Sequence, residues 1–157
     1  MFIDLPIHDG LPTQPLSHQE RCTAVNIAAQ DKNVPRDYLN LLIISEGGKK
    51  GTAQQNANKS WDLGPAQVNT IHKKHIEKHY PDKTWRDVAY DTQLNINISA
   101  DIFRGCLVHK TVNWNIWEAV GCYNSKTVKH KTNYLLRTMS VWDRIKKSPA
   151  ESCRNYW

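Results

Sequence analysis

An apolar run at residues 38–46, YLNLLIISE, constrains the fold of this chain more than any other stretch. Apolar side chains would occur on every face of the helix that this run forms, so other elements have to surround it. Pro35 suits the first turn of that helix because its missing N–H would be unpaired there in any case. Gly47 and Gly48 end the helix. The sequence therefore predicts a buried helix whose last turn carries the carboxylic acid Glu46.

Helical signals recur on both sides of this run. The segment Ser17–Glu20 is a capping box, which predicts a helix of about 15 residues. Apolar residues at helical spacing after Asp91 predict a long core helix that Asp91 caps. Further helices are predicted from Asn115 and from Thr132, and at most a small strand or hairpin between residues 50 and 65. The predicted fold class is mostly α, in a single domain.

The length and charge of the chain narrow its class. A chain of 157 residues with 39% hydrophobic residues can bury one compact core. Its net charge of +6 favours a polyanionic partner, either nucleic acid, an anionic membrane surface or a cell-wall polymer. There is no arginine-rich block and no nucleic-acid-binding fingerprint, so we expect no nucleic-acid partner. No apolar window reaches the length of about 18 residues that a membrane span needs.

The chain divides into three regions. Residues 1–16 form a polar arm punctuated by prolines, residues 17–147 form the domain, and residues 148–157 form a C-terminal tail. The arm lacks a basic leader followed by an apolar core, so we do not interpret it as a signal peptide. The pattern leaves open whether the tail binds a partner or stays free.

Four cysteines lack the C-x-x-C or Cys/His spacing of a zinc site. They can form up to two disulfides, and four cysteines allow three connectivities. Cys106 and Cys122 fall on successive predicted helices joined by a short turn, which favours that pair. Cys22 and Cys153 would then tie the two ends together. Buried free cysteines remain the alternative.

Glu46 is the best candidate for chemistry. A carboxylate in the last turn of a helix faces the negative end of the helix dipole, and apolar surroundings solvate it poorly. Both effects favour the protonated form, which a general acid needs in order to protonate a glycosidic oxygen. The alternative is a glutamate that simply marks an exposed helix end.

Three segments together resemble a known family. They are YLNLLIISEGG at 38–48, WDLGPAQVN at 61–69 and the Cys-Tyr-Asn-Ser element at 122–125. In order and spacing they resemble the soluble type of lytic transglycosylase (SLT) domain, which is related in fold to goose-type lysozyme. In that family an apolar helix ends in the catalytic glutamate, and a Gly-Leu-Met-Gln-Ile-Asn-like and an Ala-Tyr-Asn-like element follow. The resemblance covers roughly residues 20 to 145 and implies a lysozyme-like fold.

The resemblance implies roles for individual residues. Glu46 would be the catalytic acid, and the hydroxyl of Tyr123 would reach it; a plain core tyrosine is the alternative. Gln67 would bind substrate near the scissile bond, or else orient its own loop. Asn69 and Asn124 are candidates for sugar contacts or for turn formation.

Two further residues lie in or beside the second element. Trp61 is a candidate for stacking its indole face on a sugar ring. Asp62 could be proposed as a nucleophile, but we interpret it as a turn residue whose side chain accepts backbone amides.

No metal site is expected. His72, His75 and His79 share one predicted helical face, and the last two are four residues apart, a spacing that can bind zinc. There is no H-E-x-x-H motif, however, and the neighbouring lysines indicate a solvated face.

The resemblance also implies an activity. Members cleave the β-1,4 bond between N-acetylmuramic acid (MurNAc) and N-acetylglucosamine (GlcNAc) in peptidoglycan and close a 1,6-anhydro ring, with no metal or other cofactor. The Gly-Gly after Glu46 and the WDLGPAQVN element are most similar to the specialised transglycosylases of conjugation and type IV secretion systems. The expected partners are peptidoglycan glycan strands and secretion-system or pilus components.

The expected location is the periplasm, with a signal peptide that has been removed. Two alternatives to the transglycosylase remain open. One is a lysozyme-like muramidase that uses water, and the other is a non-catalytic peptidoglycan-binding assembly protein.

Overall fold

The computed structural model describes residues 12–124 and 128–154, which form seven α-helices and one small antiparallel sheet. The helices are α1 (His18–Lys32), α2 (Arg36–Glu46), α3 (Lys73–His79), α4 (Trp85–Tyr90), α5 (Thr92–Val108), α6 (Ile116–Asn124) and α7 (Val128–Lys147). The strands are β1 (Ala53–Gln55), β2 (Trp61–Leu63) and β3 (Val68–Asn69), and 3₁₀ turns lie at Thr70–His72 and Pro149–Glu151. The predicted mostly α fold is confirmed.

Helix α2 is the buried helix that its apolar run predicts. Leu39, Leu41 and Leu42 are fully buried, and α1, α5 and α7 pack around the helix. Helices α1 and α5 also pack along each other and form the largest helix pair of the core. Over the described ranges, no helix is both long enough and apolar enough to cross a membrane.

Local capping sets the ends of these helices. The Ser17 hydroxyl accepts a hydrogen bond from the backbone N–H of Glu20 (3.1 Å) at the start of α1, and Asp91 caps α5. Gly47 ends α2 in the left-handed conformation (φ 68°), which glycine adopts without strain. Pro35 lies at the N-cap of α2, one position before the first turn where we expected it. Glu46 is thus the last residue of α2.

The sheet lies beside the end of α2. Strands β1 and β2 pair antiparallel with Ala53 opposite Leu63, and β2 pairs antiparallel with β3. The predicted hairpin between residues 50 and 65 is present, and β3 adds a third strand beyond that range. The turn between β2 and β3 carries Gly64–Gln67, which belongs to the second element of the resemblance.

A buried asparagine on α5 holds this turn. The Asn95 amide nitrogen donates to the backbone carbonyls of Leu63 and Val88 (2.8 Å each), and its side-chain oxygen accepts from the backbone N–H of Ala66 (2.8 Å). Gly64 has φ 70°, and a Cβ there would lie 2.3 Å from the Asn95 amide nitrogen. Glycine is therefore required where the turn meets α5.

One helix of the structure was not predicted, and one helix begins earlier than predicted. The sequence reading missed α4, although a capping box of Thr84 and Asp87 marks its start. It has only 6 residues, too few to display a helical period. Helix α7 begins at Val128 rather than at Thr132. Its first six residues, VKHKTN, include a single apolar residue and so show no apolar periodicity.

Disulfides join Cys22 to Cys153 and Cys106 to Cys122, the pairs that the sequence favours. The alternative of free cysteines is wrong for this structure, since all four are paired.

The described parts of the arm and the tail pack onto the domain. The backbones of Gln14 and Lys50 pair in an isolated antiparallel β-bridge. The backbone carbonyl of Glu151 accepts hydrogen bonds from the side chains of Asn40 (2.9 Å) and Arg21 (3.2 Å). Residues 1–11 of the arm and 155–157 of the tail lie outside the described residues.

Candidate active site

A groove of about 960 Å³ crosses the protein beside the end of α2. Its walls come from the end of α2, the sheet, the Thr70–His72 turn, α3, α5, α6 and α7. Five of the residues that the sequence analysis nominated for the site line it: Glu46, Gln67, Asn69, Tyr123 and Asn124. The fold therefore brings together residues from three separate sequence elements. Residues 125–127, which include the end of the third element, lie outside the described residues.

The environment of Glu46 favours its protonated form. The side chain is half-buried, and burial raises the pKa of Glu46 from 4.5 to about 7. A hydrogen bond from Tyr134 and the positive charge of Arg137 act in the opposite direction, while the negative charge of Asp62 adds to the increase. A carboxyl with a pKa near 7 can both give and take a proton at neutral pH.

Tyr134 of α7, not Tyr123, holds the acid. Its hydroxyl donates a hydrogen bond to Oε1 of Glu46 (3.1 Å), and its ring lies beneath the Arg137 guanidinium at 5.0 Å. The sequence analysis missed both residues. The helical spacing of Tyr134, Val141 and Ile145 in the sequence is the signal that could have identified the inward face of α7, where Tyr134 and Ile145 are buried.

Tyr123 lies close to Glu46 but bonds elsewhere. Its hydroxyl pairs with the Ser99 hydroxyl (2.7 Å) and donates to the Ala66 carbonyl (3.4 Å). Burial and, second, the negative charge of Glu46 raise the pKa of Tyr123, so it remains a neutral donor at the groove. The expected hydrogen bond from Tyr123 to the acid is therefore wrong in this structure, because its hydroxyl faces α5 and the Ala66 turn.

The glycine pair after Glu46 packs directly on the turn that carries Gln67. The Gly48 N–H donates to the Pro65 carbonyl (3.1 Å), and a Cβ on Gly48 would lie 2.1 Å from the Gly64 carbonyl oxygen. The Gln67 amide nitrogen donates to that same carbonyl oxygen (2.9 Å). Gln67 thus orients its own loop, which is the alternative that the sequence left open, and it also lines the groove.

Asp62 and Asn69 form one cross-strand pair. The Asn69 amide nitrogen donates to Asp62 Oδ1 (2.8 Å) and to the Ser60 hydroxyl (3.1 Å), and its side-chain oxygen caps the following 3₁₀ turn at the Ile71 N–H (2.9 Å). The prediction for Asp62 was wrong in detail: it lies in β2 and accepts a side-chain amide instead of backbone amides in a turn. This hydrogen bond orients Asp62 within the groove.

Trp61 and Asn124 differ in their exposure to the groove. Trp61 is half-buried against the core and is not among the lining residues of the described chain, so sugar stacking by Trp61 has no support here. Strand β2 turns its indole away from the groove, while the next residue, Asp62, faces it. Asn124 is exposed at the end of α6 and lines the groove.

His75 and His79, whose spacing could bind zinc, contact other side chains. His75 Nε2 lies 3.0 Å from Asp101 Oδ2, and the His75 and His79 rings lie 4.5 Å apart. Within residues 12–124 and 128–154, no group of three or more histidine, cysteine, aspartate or glutamate side chains is arranged to hold a metal ion.

Comparison with known proteins identifies the class to which this fold and groove belong. The family model described as "Transglycosylase SLT domain" matches residues 23–138. The chain belongs to this family, whose members are peptidoglycan transglycosylases, lyases that act on glycosidic bonds.

Among curated proteins, the chain is similar to "Invasion protein IagB" of Salmonella typhimurium (strains SL1344 and LT2) and of Salmonella typhi. The identity is 26% over 117 residues, which cover 73% of this chain and 70% of each relative.

Proposed function

We propose that this chain cleaves the β-1,4 bond between MurNAc and GlcNAc in peptidoglycan and forms 1,6-anhydro-MurNAc, with Glu46 as acid and then base. The observation that carries the proposal is the half-buried carboxyl of Glu46, with a pKa of about 7, at a groove of about 960 Å³. That volume matches the upper range of ligand clefts, which suits a segment of a polymer.

The reaction needs one carboxyl in two successive roles. First, Glu46 gives its proton to the glycosidic oxygen as the bond from C1 of MurNAc to that oxygen breaks, while the substrate's acetamido oxygen bonds to C1. The Glu46 carboxylate then removes the proton of the C6 hydroxyl, O6 bonds to C1, and the bond between the acetamido oxygen and C1 breaks. Glu46 ends protonated and no water is consumed.

The neighbours of Glu46 suit both roles. Tyr134 donates to Oε1 and so fixes the carboxyl, and this bond strengthens when Glu46 is ionised. Arg137 adds positive charge that favours the ionised form between the two steps. Burial opposes ionisation. The balance of these effects keeps the pKa of Glu46 near neutral pH, where the carboxyl is about half protonated.

A muramidase is the second candidate, and the presence of Asp62 in the groove favours it. Asp62 lines the same groove and its charge acts on Glu46. In a hydrolase, a second carboxylate would activate water or attack C1. The hydrogen bond from Asn69 to Asp62 argues against a free nucleophile there.

Digestion of purified peptidoglycan, with mass spectrometry of the soluble muropeptides, separates these functions. Products lighter by one water than ordinary muropeptides would support the transglycosylase. Products with reducing ends would identify a muramidase. Absence of release, with retained binding to the wall, would leave a non-catalytic binding protein.

The matched variants are Glu46→Gln and Glu77→Gln, which make the same chemical change in the groove and at an exposed position of α3. The first should abolish release and retain binding, and the second should leave both intact. If Glu46→Gln releases product at the parental rate, Glu46 is not the acid.

We further propose that the protein acts in the periplasm and opens the wall locally for a secretion or conjugation apparatus. The two disulfides support an oxidising compartment, and the relatives bear the name "Invasion protein". Mass spectrometry without reduction, on protein recovered from cells, tests the location: four free thiols would contradict it. For the role, the Glu46→Gln variant should fail to restore secretion or conjugation in a deletion strain that the parent chain restores.

A further inference from the structure

One face of helix α5 forms the floor of the groove. Its lining residues, Asp101, Ile102, Gly105 and Cys106, recur at helical spacing and span about 8 Å along the helix axis. His109 follows just after the end of the helix and also lines the groove. The Thr70–His72 turn and α3 border this floor with His72 and His75. The groove therefore extends well beyond the immediate surroundings of Glu46.

The side chains that line the described part of this groove and can carry positive charge are histidines. Among the described lining residues, the side chains that can carry positive charge are His72, His75, His109 and His130, and none is a lysine or an arginine. This is unexpected for a chain with 21 lysines and arginines. An anionic group that enters the groove would meet imidazoles, which donate an N–H when neutral and carry positive charge when protonated. Burial and, second, the charge of His75 lower the pKa of His72.

The negative charge of Asp101 does not cancel the positive charge that the imidazoles can carry. Asp101 Oδ1 pairs with the Lys32 ammonium (3.0 Å), and its Oδ2 accepts the Tyr80 hydroxyl (2.6 Å) as well as facing His75 Nε2. Burial acts against ionisation of Asp101, but these hydrogen bonds lower its pKa overall. Lys32, which is not a lining residue, thus balances the charge of Asp101 from outside the groove.

Imidazole nitrogens remain available for a ligand. The Thr111 N–H donates to His109 Nδ1 (3.2 Å), so in the neutral ring Nε2 carries the proton, and no described residue accepts it. The His75 Nε2 faces Asp101, which leaves Nδ1. The His72 ring is half-buried at the groove and forms no hydrogen bond with the described residues.

We propose that His72, His75 and His109, here called the histidine wall, bind carboxylates of the peptide stem that peptidoglycan carries on its MurNAc lactyl group. The inference rests on the proposed function. The sugar rings of peptidoglycan are uncharged, and the free carboxylates of the stem are its anionic groups. The histidine wall would therefore make this enzyme prefer strands that bear peptides to stripped strands on which no free carboxylate remains.

The test compares two soluble substrates, glycan strands with tetrapeptide stems and the same strands stripped by an amidase, with the lactyl carboxylate that the amidase exposes then converted to its methylamide. The parent chain should show the lower KM on the peptide-bearing strands. The variant His72→Gln/His75→Gln/His109→Gln keeps amide donors but carries no charge. This triple variant should raise the KM for peptide-bearing strands about tenfold. That factor corresponds to about 1.4 kcal/mol, the loss of one charge-assisted contact. The KM for stripped strands should change much less.

His79→Gln is the matched control. It makes the same change in an exposed histidine that packs against His75 and lies outside the lining set. It should not change the ratio of the two KM values. If the triple variant does not fold, as judged by circular dichroism, the single variant His109→Gln takes its place, because its side chain is exposed and holds only its own loop.

Two results would overturn the proposal. One is that the parent has equal KM values for both substrates. The other is that the triple variant raises both KM values equally, which would mean that the histidines contact sugar or support the fold. If the parent cleaves neither substrate, the proposed function has failed, and calorimetry of binding to both strands decides the inference alone. Tighter binding of peptide-bearing strands, lost in the variant, would support it; equal binding would refute it.

Discussion

Replacement of Glu46 by glutamine should stabilise the folded protein, and the gain should grow with pH. The pKa of Glu46 is about 7 in the folded state and 4.5 without its surroundings. Because the folded pKa is the higher one, folding favours the protonated carboxyl. The cost of burying the ionised carboxylate is absent below pH 4.5. As pH rises from 4.5 through 7 this cost appears and lowers the free energy of unfolding of the parent.

The magnitude follows from the difference between 4.5 and about 7. A difference of 2.5 pKa units corresponds to about 3.4 kcal/mol once Glu46 is fully ionised. Glutamine has no charge to bury, and its side-chain oxygen can still accept the Tyr134 hydroxyl. The stability gain of the variant is its free energy of unfolding minus that of the parent. This gain should be larger at pH 8.5 than at pH 4.5, by up to about 3 kcal/mol.

Urea unfolding of both proteins at the two pH values, with disulfides intact, measures this difference. Other titrating groups affect parent and variant equally and cancel in the comparison. Glu77→Gln, an exposed substitution on α3, is the control and should show a difference that hardly changes with pH. A difference for Glu46→Gln that is the same at pH 4.5 and pH 8.5 would refute the assigned environment of the acid.

Other substitutions test the positioning of the acid and the turn. Tyr134→Phe removes a hydrogen bond that favours ionised Glu46, so the falling limb of the pH profile of kcat/KM should move up by about one pH unit; an unmoved limb would contradict this role. Gly48→Ala should lower kcat/KM by about 100-fold, since its Cβ would lie 2.1 Å from a carbonyl oxygen, whereas the adjacent Gly47→Asn should retain near-parental activity. Asn95→Ala removes three buried hydrogen bonds and should lower the free energy of unfolding by about 3 kcal/mol or more; urea unfolding with an unchanged midpoint would show that the turn does not depend on it.

Helix ends and the position of the acid were predictable because short-range chemistry sets them. A serine cap, the Asp91 cap and a left-handed glycine after Glu46 act over three or four residues, so the sequence displays them directly. The favoured pair Cys106–Cys122 followed from which helices are successive, and Cys22 and Cys153 remained to tie the two ends together. Helix α4 was missed because its 6 residues show a cap but no period.

Contacts between distant elements could not be predicted in the same way. The sequence offered Tyr123 as the partner of Glu46 because it belongs to a recognisable element, but the partner is Tyr134. The bond between Tyr134 and Glu46 joins residues 88 positions apart and depends on how α7 crosses α2. Likewise, Trp61 and Asp62 are neighbours in β2, and their side chains point to opposite faces of the sheet. The packing of the sheet decides which face lines the groove.

By itself, the sequence determined a mostly α domain in which a buried helix ends in one carboxylic acid, because apolar periodicity and caps are local properties. Only the tertiary structure decided how that acid is tuned. Its pKa depends on burial, on Tyr134 and Arg137 from the last helix and on Asp62 from the sheet, which meet only when the helices pack. The histidine wall likewise arises because a 3₁₀ turn, α3 and the segment after α5 converge on one groove.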